Sequence, residues 1–143
     1  MNLKNIAFWA STGFILFCMG VGGTANVIRQ EDAVKAITDL GFPPYLATIL
    51  GVWKILAFFV IALPGYQRLK EWAYAGAFFD FSGAAAAHLF EGSAAYHVVT
   101  TVFFAALVLV SWYLRPASRR LPAPKASQPQ VAAPSAFRVG APA

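Results

Sequence analysis

The chain has 143 residues and a formal net charge of +5, with 59% hydrophobic and only 12% charged side chains, about half the charged fraction of an average soluble protein. That apolar surface is more than a soluble domain of this length can bury, and a bilayer can absorb it. Nucleic-acid binding is excluded as the meaning of the positive charge, because the basic residues cluster at segment ends and in the tail, as they do in membrane proteins.

The first apolar run covers residues 6–28 and is interrupted by Ser11 and Thr12. A cleaved signal peptide is the competing reading, but the run is long enough to span and its hydroxyls are unusual for a signal core. Gly20, Gly22 and Gly23 are small residues of the kind that let a second helix approach closely. Cys18, the single cysteine of the chain, lies in this run as packing. With one cysteine there is no intrachain disulfide, redox pair or thiolate metal cluster.

Residues 29–42 are polar but patterned, with Val34, Ile37 and Leu40 recurring between Glu31, Asp32, Lys35 and Asp39. This predicts a short amphipathic helix at the membrane surface, with an ordered loop as the alternative. Gly41 and Pro43-Pro44 stop it. A second apolar run, residues 45–64, is broken by Lys54 and ends at Pro64-Gly65. The short basic turn that follows returns the chain antiparallel into a third run, residues 72–90, which holds Asp80 and His88. Glu91-Gly92-Ser93 turns the chain into a fourth run, residues 96–114, closed by Arg115-Pro116.

The predicted fold is therefore all-α: an antiparallel four-helix transmembrane bundle over residues 1–115, with a short interfacial helix after the first span. Residues 116–143 are rich in Pro, Ala and basic residues and read as a disordered, solvated tail, with contact of Arg115, Arg119, Arg120 and Lys125 to anionic lipid as the alternative. If both termini are cytoplasmic, that side collects Lys4, Arg68, Lys70, Arg115, Arg119, Arg120, Lys125 and Arg138, as the distribution of basic residues requires.

Lys54 and Asp80 are the residues most able to carry chemistry. Lys54 lies nine residues after Tyr45 and Asp80 eight after Trp72, which puts them about 13 Å and about 12 Å from opposite boundaries at the helical rise. In a core about 30 Å thick these levels nearly coincide, so an ion pair between antiparallel neighbours is the natural inference. The simplest role is to fix helix register. The functional roles are a proton or ion relay, or an anchor for a polar head group such as a quinone ring. Trp53, Phe58, Phe59, Phe78, Phe79 and Phe81 are candidates for an apolar pocket beside the pair. His88 and His97 fall on adjacent helix ends with Glu91 near them in sequence. They could extend a relay, but the spacing does not make a metal site, and hydrogen-bonded interfacial histidines are the plainer reading. No phosphate-binding loop, nucleophile elbow or zinc-protease motif is present in the sequence.

The string LGFPPYLATILGVWKILA followed by RLKEWAYAGAFFDFSGAAAAHL, within residues 40–89, resembles the DoxX-like family of small four-helix membrane proteins. The matching positions include Leu40-Gly41-Phe42-Pro43, Tyr45, Gly51, Lys54, Pro64, Leu69-Lys70-Glu71-Trp72, Gly76, Asp80, Gly83-Ala84 and His88. The resemblance implies a bacterial inner-membrane bundle with Lys54, Asp80 and His88 on its working face. The family takes its name from a subunit of an archaeal thiosulfate:quinone oxidoreductase. It thus implies a membrane subunit or scaffold of a quinone-linked redox system, working with a redox enzyme or as a homo-oligomer rather than as an enzyme on its own. A small proton-coupled transporter or channel using Lys54 and Asp80, or a membrane assembly factor, are the alternatives.

Overall fold

Proline and glycine punctuate the chain, and the helices fall between them. The computed structural model describes residues 2–122 and, among these, contains five α-helices and no strand. They are α1 (Leu3–Val27), α2 (Glu31–Thr38), α3 (Tyr45–Ala62), α4 (Gln67–Phe90) and α5 (Ala95–Leu114), followed by a 3-10 turn at Ala117–Arg119. Gly65 and Tyr66 both take left-handed backbone angles, φ 80° and 51°, and this reverses the chain between α3 and α4. Glycine pays no Cβ penalty in that conformation, which makes it the natural residue beside Pro64.

Three helices, α1, α3 and α5, are long and apolar enough to cross a membrane. α4 has 24 residues, about 36 Å at the helical rise and so long enough. It does not join the other three by composition, because even its apolar stretch is diluted by Asp80, His88, Ser82 and small residues. It also starts at Gln67, five residues before the predicted run, because the basic turn is itself helical. α2 forms where the amphipathic pattern predicts it and touches α1 and α3 lightly.

α1 packs against α3 and α5, and α4 against α5 and α3. The shared core is formed by Ile15, Met19, Ile61, Tyr74, Ala77 and Val108. The α1–α3 contact is so close that backbones meet: a Cβ on Gly51 would lie 2.8 Å from both the Val27 nitrogen and the Asn26 Cβ. Across the seam, a Cβ on Gly23 would lie 3.0 Å from the Lys54 Cβ. Of the glycines the sequence nominated for close approach, Gly23 makes it, Gly20 faces the Phe58 ring, and Gly22 has open space around it. Gly51→Leu is therefore expected to push α1 from α3 and lower stability by about 1–3 kcal/mol or more, read by thermal unfolding in detergent. Gly22→Leu should change it little.

Of the predicted tail, residues 116–122 are described and are not loose. Arg119 and Arg120 fold back onto the ends of α3 and α5. Carbonyls left open at those helix ends give the guanidinium groups better partners than solvent. The remainder of the expected tail, residues 123–143, lies outside the described residues.

Candidate functional site

α3 and α4 bring Lys54 and Asp80 together. Lys54 Nζ stands 3.4 Å from Asp80 Oδ2, and the side chains are 20% and 18% exposed. The antiparallel return through residues 63–66 sets this register, since it brings the middle of α3 beside the middle of α4.

Beside the pair is an apolar cavity of about 660 Å³, with Met19 of α1 among its walls and α3 and α4 forming the rest. Trp53, Leu56, Trp72 and Phe79 line it, and Asp80 is the only ionisable side chain in its wall. Trp53, Trp72 and Phe79 are exposed on the outer surface of the molecule, so the cavity opens sideways. Gly76 also lines it, and a Cβ added there meets nothing within 4 Å. Part of the volume is thus the space of one missing side chain.

The other nominated residues separate into different places. Phe58 and Phe59 line a second groove with α1. Phe78 and Phe81 pack on the core. His88 and His97 stack face to face, ring centroids 4.8 Å apart and planes within 8°. The Tyr96 ring covers His97 at 3.9 Å, and His88 Nδ1 shares a hydrogen bond of 3.0 Å with Ser93 Oγ. The two histidines lie at the far end of α4, His88 about 12 Å along the axis from Asp80, so they do not join the Lys54/Asp80 pair in one face. Glu91 leans toward Gly41, its Oε1 3.4 Å from where a Cβ there would be. Among the described residues no group of three or more His, Cys, Asp or Glu could hold a metal.

Two polar clusters were missed from sequence. Buried Ser111 of α5 shares hydrogen bonds with Thr12 of α1 at 2.7 Å and with the Tyr74 hydroxyl of α4 at 2.9 Å, tying three helices at one point.

The second cluster lies at the cytoplasmic side of the predicted topology, in the first turn of α4 before the apolar stretch 72–90. Lys70 counts among the basic residues of that side, and it is only 1% exposed. Its ammonium donates to the carbonyls of Val60, Ile61 and Leu63. These are orphan carbonyls of the last turn of α3, and the one on Val60 lacks its usual partner because Pro64 has no N–H. Arg119 donates to Ile61 O at 2.9 Å and Ala62 O at 3.4 Å. All four terminal carbonyls are thereby satisfied, and two cations stand at the negative end of the α3 dipole. Burial first, then the charges of Arg119 and Arg115, pull Lys70 from 10.5 down to about 8.

Its neighbour Glu71 accepts from Trp112 Nε1 and Arg115 Nη2, each at 2.7 Å. Burial pushes its carboxyl up, but those two donors and the Arg115 charge outweigh it and leave Glu71 below its ordinary value.

Three helices long and apolar enough to cross a membrane, with no strand among the described residues, define an all-helical membrane protein. The chain belongs to the DoxX-like family, whose model matches residues 10–111. The match reaches beyond the residues 40–89 that carried the resemblance, into α1 and most of α5. No curated protein and no solved structure matches the chain.

Proposed function

We propose that the protein is a four-helix antiparallel membrane bundle that holds a quinone for a redox partner, as a subunit or scaffold and not as an enzyme on its own. In this reading α4 is the fourth span, and both termini face the cytoplasm of a bacterial inner membrane. The length of α4, the pairing of Asp80 with Lys54 and the excess of basic residues at one end of the molecule support this topology.

The observation that carries the function is the sideways-opening cavity with one carboxylate, Asp80, in its wall and that carboxylate's partner Lys54 behind it. A bilayer-dissolved ligand with a flat polar head and a long apolar tail fits it. Trp53, next to Lys54 in sequence, can flank the head, and Trp72, about 12 Å along α4 from Asp80, lines the part of the cavity left to the tail. The Asp80 carboxylate in the wall can accept from a quinol hydroxyl, and the Lys54 ammonium, 3.4 Å from it, can donate to a carbonyl that reaches past Asp80. Its apolar walls, lacking any other ionisable group, exclude water from the head. When bound, the quinone would supply the electron-accepting chemistry to the partner.

The test is quenching of Trp fluorescence by decylubiquinone in detergent, since two of the four tryptophans line the cavity. Saturable quenching is expected in the wild type. Gly76→Leu fills open space without displacing a neighbour, so it should weaken binding about tenfold or more and leave unfolding unchanged. Equal affinity in the two proteins overturns the reading. Absence of bound quinone together with substrate-dependent proton flux in liposomes would replace it by the transporter.

A further inference from the structure

At the end of the molecule where α3 stops, α4 starts and α5 stops, four cations gather: Lys70, Arg115, Arg119 and Arg120. Among the described residues, the one carboxylate bonded to any of them is Glu71. The others donate to backbone carbonyls: Lys70 and Arg119 to the end of α3, and Arg120 to the carbonyls of Arg115 at 2.6 Å and Tyr113 at 2.7 Å. A carbonyl satisfies a donor without neutralising its charge, so most of the positive charge here is uncompensated.

Arg115 adds a second, independent sign. It is 4% exposed. Its Nε donates to Trp112 O at 2.9 Å and its Nη2 to Glu71. Its Nη1, however, is the only buried side-chain nitrogen or oxygen among the described residues without a hydrogen-bond partner. The guanidinium lies over the rings of Tyr74 and Trp112, 5.0 and 5.4 Å from their centroids, which answers part of its charge, but Nη1 still lacks an acceptor oxygen, and that is costly for an enclosed donor.

We propose that this cluster binds the phosphate of an anionic phospholipid, with Arg120, which is exposed, as the first donor and the enclosed Arg115 Nη1 as a second that the lipid must uncover. The surroundings decide for a lipid over a free phosphate. Trp9, whose ring lies 5.0 Å under the Arg119 guanidinium, and Trp112 and Tyr113 are exposed around the cluster. Trp and Tyr settle at headgroup level. Beyond them run the exposed apolar faces of α1 and α5, against which acyl chains can lie. Basic pockets between helices at this depth suit anionic head groups. The site is separate from the cavity beside Asp80 and does not depend on what that cavity holds.

The experiment is native mass spectrometry of the full chain in mild detergent, titrated with phosphatidylglycerol, phosphatidylethanolamine or inorganic phosphate. Phosphatidylglycerol is expected to bind at least tenfold more tightly than phosphatidylethanolamine. Arg120→Gln leaves the Arg115–Glu71 bond in place and should weaken phosphatidylglycerol by about fivefold, the worth of one interfacial charge. Arg115→Lys keeps the charge but removes Nη1 and should erase the preference. If Arg115→Lys does not fold, the Arg120→Gln result alone decides. Equal binding of the two lipids overturns the proposal. So does displacement of phosphatidylglycerol by millimolar inorganic phosphate, which would assign the cluster to a free anion.

Discussion

Lys54→Met or Asp80→Asn, made singly, is expected to lower the stability of the folded protein in detergent by about 3–5 kcal/mol, and the double variant to recover most of it. Either single change removes one partner from a pair held at 3.4 Å and four-fifths buried. Lys54→Met leaves a carboxylate facing apolar walls, and Asp80→Asn leaves an ammonium without its counter-charge. The double variant has neither charge, so the desolvation that both ions demand disappears along with their attraction. A double-mutant cycle by thermal unfolding measures the coupling. Losses that simply add would mean that the two ions contribute independently and that the register of α3 against α4 is set elsewhere. The double variant also separates stability from ligand binding. If it folds as well as the wild type but binds decylubiquinone about tenfold more weakly, the pair serves the head group as well as the register.

Lys70→Met is expected to cost about 2–5 kcal/mol, because the carbonyls of Val60 and Leu63 lose their donor while Arg119 still serves Ile61 and Ala62. Lys70→Gln, which keeps an N–H donor, should lose less. The same lysine gives a pH signature with a definite sign. Its folded-state pKa of about 8 lies below the ordinary 10.5, so between those values the unfolded chain holds a proton that the folded chain has released. Stability contributed by this group therefore rises with pH from about 8 to 10.5 and is flat below that window. The neutral amine keeps two N–H donors for the α3 carbonyls while shedding a charge repelled by Arg115 and Arg119. Unfolding of Lys70→Met should lack that rise. A wild-type profile that falls across the window would refute the account of this end of the molecule.

The helices were legible because two strong signals agreed: apolar runs of membrane length, and Pro or Gly at the breaks. Lys54 and Asp80 could be paired from spacing alone, since equal distances from opposite ends of antiparallel runs leave few other geometries. Lys70 could not be placed, because a cation just before an apolar run ordinarily reaches for water. Only the position of Pro64 at the end of α3, which orphans the Val60 carbonyl, hints that a donor is needed inside. The cavity was half legible. Trp53 and Phe79 were nominated and do line it, but Phe58, Phe59, Phe78 and Phe81 face elsewhere, because consecutive aromatics on one helix point about 100° apart. Its volume depends on Gly76, and a glycine in a row of alanines carries no signal of its own. The meeting of Thr12 with Ser111 depends on helices at opposite ends of the chain, and no local pattern reports it.

That last contact bears on how the protein is made. Ser111 emerges from the ribosome 99 residues after its partner Thr12, roughly 5–20 s later at ordinary elongation rates. Through that interval the first span sits in the membrane with an unanswered hydroxyl, able to dock on α3 through Gly23 and Gly51 but not to seal the circuit. The last helix to be inserted locks the first, so truncation before Ser111 should leave a nascent chain that the membrane quality-control proteases can still open.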